Sequence, residues 1–174
     1  MNAIFKRKSI RSFKKKRVSN RLIKEILMAG MAAPSSWNSK PWVFIVIKDR
    51  KILDEIAKRH GYANMCKEAS LAILVCGNPE NMKEKEFLPQ DCAAATENML
   101  IEATYLGLGS VWVGLFPKEE RMNLLRELTS LPENIIPFSL VVVGYPAEKK
   151  KGKKIYYENM VYIDKWDSKQ KFDI

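Results

Sequence analysis

The residues best suited to chemistry stand near the start of the chain, in Phe5-Lys6-Arg7-Lys8-Ser9-Ile10-Arg11-Ser12-Phe13. Cations and hydroxyls alternate there with apolar residues, so the phenylalanine and isoleucine side chains can turn inward while Arg7, Lys8, Ser9 and Arg11 face one anion. Arginine offers a planar fork of donors that matches phosphate oxygens, and a neighbouring serine hydroxyl can complete the cage. A mononucleotide phosphate is the guest such a grip would fit, although a solvated basic segment would have the same composition. A second polar cluster, Pro34-Ser35-Ser36-Trp37-Asn38-Ser39-Lys40-Pro41, directly precedes an apolar run.

Other chemistries have little to build on. The one histidine, His60, has no Cys/His cluster beside it in sequence, which argues against a zinc site or a His-dependent triad. Cys66, Cys76 and Cys92 are odd in number and lack paired metal spacing, and Cys76 ends an apolar run where a buried free thiol is ordinary. No metal ligand and no catalytic side chain is expected, so any reaction must be carried by a bound cofactor.

Apolar spacing predicts the elements that position these residues. Ser19 can cap a helix running to Met31, with Leu22, Ile23, Ile26, Leu27 and Gly30 on one face. Residues 42–47 read as a strand covered on both faces and central in its sheet. A helix from Asp49 or Arg50 to Gly61 buries Ile52, Leu53, Ile56 and Ala57, and a strand follows over 71–76. The polar stretch 77–89 reads as a loop with room for a helical turn, of the kind that flanks a site.

Residues 90–106 predict the core helix, whose Ala93, Ala94, Ala95 and Ala103 permit close packing, and Gly107 and Gly109 release a strand over 110–115. Pro117 suits the first position of a helix carrying Met122, Leu124, Leu125 and Leu128, which Pro132 closes. A fourth strand covers 138–143 before the Gly144-Tyr145-Pro146 turn, and 160–163 is compatible with a short edge strand pairing outside its own subunit. Helices alternating with apolar strands indicate an α/β or α+β layered domain.

The 174 residues suit a single domain over 1–174, with 47% hydrophobic and 29% charged residues close to globular averages. A net charge of +10 could draw nucleic acid, but many lysines fall in short tracts at 14–17 and 149–154 that serve equally as solvated edges or phosphate contacts. No segment reaches the roughly 20 apolar residues that span a bilayer, so no membrane association and a cytoplasmic location are expected.

The two polar clusters resemble the flavin-binding signatures of the nitroreductase family, which opens with Arg-Arg-Ser-x-Arg and continues with Pro-Ser-x-x-Asn-x-Gln-Pro-Trp. Further matches follow in order: Asp91-Cys92-Ala93-Ala94-Ala95-Thr96-Glu97-Asn98 is similar to the family's central helix, Gly107-Leu108-Gly109-Ser110-Val111-Trp112-Val113-Gly114 to its glycine-bearing strand, and Gly144-Tyr145-Pro146-Ala147-Glu148 to its closing turn. The resemblance implies an α+β, three-layer fold with a central, mainly antiparallel sheet flanked by helices, and a C-terminal segment exchanged in a homodimer. It implies that FMN is held by Arg7, Lys8, Ser9 and Arg11. Pro34, Ser35, Ser36 and Asn38 would come from the partner subunit, and the backbone of Val113 and Gly114 would approach the flavin.

The family's Lys-x-Arg near the phosphate reads here Lys153-Lys154-Ile155, so Lys153 keeps its role while Lys154 or an upstream lysine replaces the missing guanidinium. Lys40 stands where glutamine is common, and Trp37, Trp42 and Trp112 read as core or interface aromatics rather than substrate platforms. The implied activity is hydride transfer from NADH or NADPH to FMN, then two-electron transfer to a nitroaromatic, quinone or similar small acceptor. The alternatives are a basic nucleic-acid-binding protein, or a flavin-binding protein without turnover.

Overall fold

A computed structural model describes residues 2–166 of the chain. Five strands form one sheet: β1 (Phe13–Lys14), β2 (Trp42–Ile47), β3 (Leu71–Gly77), β4 (Gly109–Gly114) and β5 (Ile136–Pro146). β2 pairs with β3, β3 with β5, and β5 with both β4 and β1, every ladder antiparallel. The helices are α1 (Ala3–Lys6), α2 (Asn20–Met31), α3 (Arg50–Arg59), α4 (Leu88–Tyr105) and α5 (Glu119–Thr129).

Two-residue alternation along the strands divides the interior into two apolar layers. Ala72, Leu74 and Cys76 of β3 pack on one face with Leu53 and Ile56 of α3 and Leu124 and Leu125 of α5. Leu71, Ile73 and Val75 pack on the other with Ile23 and Ile26 of α2 and Met99, Leu100 and Ala103 of α4. The result is the expected three-layer α+β arrangement with helices on both sides of an antiparallel sheet. All three cysteines are free and buried, and burial pushes each thiol up to about 12.

Four expectations need correction. β2 lies at the edge of the sheet rather than its centre, because only β3 pairs with it. Pro117 does not open α5: it follows a cis Phe116–Pro117 bond, Lys118 is the N-cap, and the helix starts at Glu119. Gly144-Tyr145-Pro146 is no turn but the end of β5, paired there with β1, while residues 160–163, expected to pair outside the subunit, form no strand within the single chain. Of the N-terminal apolar side chains, Ile10 and Phe13 are buried but Phe5 is exposed. The ends of the expected 1–174 domain and of the exchanged segment, Met1 and 167–174, lie outside the described residues.

Candidate functional site

The N-terminal segment is fixed between two strand ends. Ile10 N–H donates to the Ser110 carbonyl at 2.9 Å, Ser9 bridges Ser110 in parallel, and Phe13 and Lys14 pair with Pro146 and Tyr145. Gly109 is required for this approach, since a Cβ there would stand 2.8 Å from the Ile10 side chain. Glu148 locks the other side: its carboxylate accepts the Arg11 N–H at 2.6 Å and the Lys150 ammonium at 3.0 Å. The Arg11 N–H and then Lys150 hold the Glu148 carboxyl below its usual range.

This scaffold presents Arg11 to a cavity of about 610 Å³, within the roughly 300–1,000 Å³ typical of small-molecule sites. Val111, Trp112, Val113 and Gly114 form one wall, and Tyr62, Asn64 and Arg121 reach it from α5 and the turns after α3. Among the described residues no aspartate or glutamate lines it. A Cβ on Gly114 would meet nothing within 4 Å, so the strand backbone there faces open space. A flat, anionic cofactor such as FMN suits these features: backbone unobstructed by a side chain, an unopposed positive lining and adequate room.

Arg7 points elsewhere, its Nε 2.9 Å from Glu97 Oε1 on α4. The pair is partly solvated, and four guanidinium donors besides Nε–H remain for another acceptor. Lys8 and Ser9 are half-buried. Lys150 Nζ donates to the Ser9 carbonyl at 2.9 Å, and Lys154 Nζ stands 5.1 Å from the Phe5 ring centre, so the lysine tract folds back over the N-terminal segment. Of the lysine tract, Lys150 thus contacts the Ser9 backbone, while Lys153 is exposed.

Pro34, Ser35 and Ser36 line a different depression of about 450 Å³, together with Phe87, Gln90, Asp91 and Ala94. Ser36 N–H donates to both oxygens of the buried Asp91 at 3.0 and 3.2 Å, and Lys40 N–H donates to Ser35 Oγ at 2.9 Å. Trp37, Asn38 and Lys40 all adopt left-handed backbone, at φ 53°, 54° and 49°. Non-glycine residues adopt this region at a cost of order 1–3 kcal/mol each, and such strain gathers at ligand sites. Within one chain this loop and the Arg11 cavity are separate.

The tryptophans divide. Trp42 is buried, Trp112 packs edge-on against Phe138 while lining the cavity, and Trp37 is 65% exposed under the Lys83 ammonium at 4.5 Å. Tyr62, Asn64 and Arg121 escaped the sequence reading. Asn64 and Tyr62 sit in the short run between Gly61 and the second apolar strand, and only their crowding of polar types between apolar residues could have marked them.

The sequence profile of the Nitroreductase family matches residues 4–63 and 58–145. The chain belongs to the nitroreductase family. An Archaeoglobus fulgidus family member, provisionally named an NADH dehydrogenase/NAD(P)H nitroreductase, is 46% identical over 151 residues, spanning 86% of this chain and 87% of its own. Among solved nitroreductase structures, the FMN-dependent nitroreductase from Clostridium difficile R20291 superposes with a TM-score of 0.88 at 26% identity, covering 95% of this chain and 99% of that one. A provisionally named nitroreductase from Desulfovibrio desulfuricans, solved in complex with FMN, gives 0.81 at 30% identity, covering 94% and 95%.

Proposed function

We propose that this nitroreductase-family chain is an FMN-dependent oxidoreductase, reduced by NADH or NADPH and oxidised by a small acceptor such as a nitroaromatic or quinone. The observation that carries the reading is the cavity between Arg11 and the open backbone of β4, positively lined and, among the described residues, without a carboxylate. Bound FMN would supply the redox chemistry, taking up a hydride and releasing two electrons.

The chain's own groups bind, orient and balance charge. Arg11 offers a cation at the cavity, its backbone position held by the bond from its N–H to Glu148. Val113 and Gly114 provide a backbone edge against which a flat ring can rest. Arg7, Lys8 and Ser9, with Lys150, Lys153 and Lys154 folded back near them, supply the phosphate end with cations and a hydroxyl. No side chain is assigned as a general acid or base.

A homodimer completes the site in this reading. Pro34, Ser35, Ser36 and Asn38 would come from the second subunit, which accounts for a strained loop lying in a separate depression of its own chain. The tail supports an exchanged segment: Ile155, Tyr156, Tyr157, Met160 and Trp166 are exposed in the single chain, an unusual concentration of uncovered apolar surface. Three free thiols suit a reducing, cytoplasmic setting. Among the described residues no helix is long and apolar enough to cross a membrane.

The test is the absorption spectrum of the purified chain, then anaerobic mixing with each nicotinamide. A yellow protein bleached by NADH or NADPH and recoloured by a quinone is expected. A yellow protein that neither nicotinamide bleaches would be a flavin holder without turnover, and a colourless one with salt-sensitive affinity for DNA would be a nucleic-acid binder.

A further inference from the structure

Arg121 is the cation that the proposed chemistry has not yet used. It leaves α5 to line the same cavity as Arg11, from another element and with no family motif attached to it. Its Nη1 donates to the Gly114 carbonyl at 3.2 Å, and its Cζ lies 5.0 Å from the centre of the Tyr62 ring. These two contacts hold the guanidinium without neutralising it, since a carbonyl and an aromatic face carry no net charge.

The contrast with other arginines is informative. Arg7 is paired with Glu97, Arg50 with Asp54 and Arg59 with Glu127. Among the described residues no carboxylate forms an ion pair with Arg121, although Arg121 also lines a neighbouring cavity that carries Glu120 and Glu127. Behind it, His60 is buried with Nε2 unpartnered, and burial followed by the Arg121 charge lowers its pKa, so the histidine stays neutral near pH 7. The positive charge at this end of the cavity therefore resides on Arg121.

We propose that Arg121 is an electrostatic residue of the redox reaction, making the cavity prefer the reduced, negatively charged flavin over the oxidised, neutral one. This rests on the FMN reading above. A pre-set cation near the place where charge develops needs no reorganisation when it does, and in a partly enclosed site its field is screened less than in water. Arg11 and Arg121 approach that place from two different elements, so the preference survives the loss of neither one unchanged. The rival role for Arg121 is mechanical, bracing the end of β4 through the Gly114 carbonyl. Bracing would act on both oxidation states alike.

The experiment measures dissociation constants for oxidised and reduced FMN, with the midpoint potential as an independent readout, in the wild-type protein and in Arg121→Gln and Arg121→Lys. Arg121→Gln is expected to lower the preference for reduced FMN about tenfold, equivalent to a fall of about 30 mV for a two-electron couple. Arg121→Lys should retain most of it. Equal weakening of both oxidation states, or an unchanged ratio, would overturn the proposal in favour of bracing, as would a lysine variant indistinguishable from glutamine. Where Arg121→Gln does not fold, Arg121→Met, which keeps the apolar stem, is held to the same expected ratio. A wild-type chain that binds no FMN would instead refute the underlying function, an outcome separate from any behaviour of the variants.

Discussion

The Asp91 carboxylate clasps the backbone N–H of Ser36 with both oxygens, at 3.0 and 3.2 Å, joining the first turn of α4 to a loop 55 residues earlier. The bond sets the position of Ser35 and Ser36 before the strained stretch begins. Asp91→Ala would leave a part-buried N–H unsatisfied, at about 1–3 kcal/mol. Thermal unfolding should register that loss, and FMN retention should fall with it. Asp91→Asn, which keeps one acceptor oxygen, should lie between wild type and alanine in both measurements.

Arg11→Ala should weaken FMN retention much more than Lys15→Ala. Arg11 lines the carboxylate-free cavity, whereas Lys15 is an exposed member of a basic tract. Equilibrium dialysis of each variant against FMN decides the matter. Equal losses would indicate diffuse charge instead of a defined pocket.

Gly109→Ala should disturb the site without touching a charged residue. The new Cβ would meet Ile10 Cγ2 at 2.8 Å and Ile10 Cβ at 3.0 Å, so more than a flexible tip must move. Overpacking of this kind typically costs about 1–3 kcal/mol. The strain falls on the Ile10–Ser110 hydrogen bond that seats Arg11, so weaker FMN binding should accompany the lower unfolding temperature. A stable variant with wild-type affinity would show that the segment tolerates displacement.

His60 gives the chain one histidine-dependent stability transition, since the sequence contains no other histidine. Burial, then the Arg121 charge, lowers its pKa below 6.5, against the opposing pull of backbone hydrogen bonding at His60 and Gly114 and of the Glu120 charge. The unfolded chain binds this proton more readily than the folded one. The stabilising contribution is therefore present above about pH 6.5 and is lost as pH falls towards the folded value. Denaturant midpoints between pH 7.5 and 5.5 should decline, and His60→Phe should flatten that decline. An equal slope in the variant would assign the effect to carboxylates.

Much of this architecture was legible because β3 and the greater part of β5 are apolar on both faces, as strands covered on both sides are. β2 carries the same composition, yet an apolar run does not reveal whether both of its backbone edges are paired, and one is not. Residues 160–163 have strand-forming types but no ladder partner among the described residues, and a strand exists only as part of a ladder. The grip at Arg11 could be read because its types are dense and local. Arg121 could not, for on an amphipathic helix a lone arginine looks like any solvated position until folding sets it beside Gly114.

The position of β5 bears on the order in which the chain can assemble. β1 and β4 have their ladder partner in β5, and β3 gains its second neighbour there, yet β5 is the last of the five to be synthesised. Of the sheet's ladders, a nascent chain halted before residue 136 can form only β2 with β3, alongside the Ser9–Ser110 bridge to β4. Until translation passes that point, the cationic N-terminal segment has its Ser110 contacts to β4 but not the β1–β5 ladder that completes its seat.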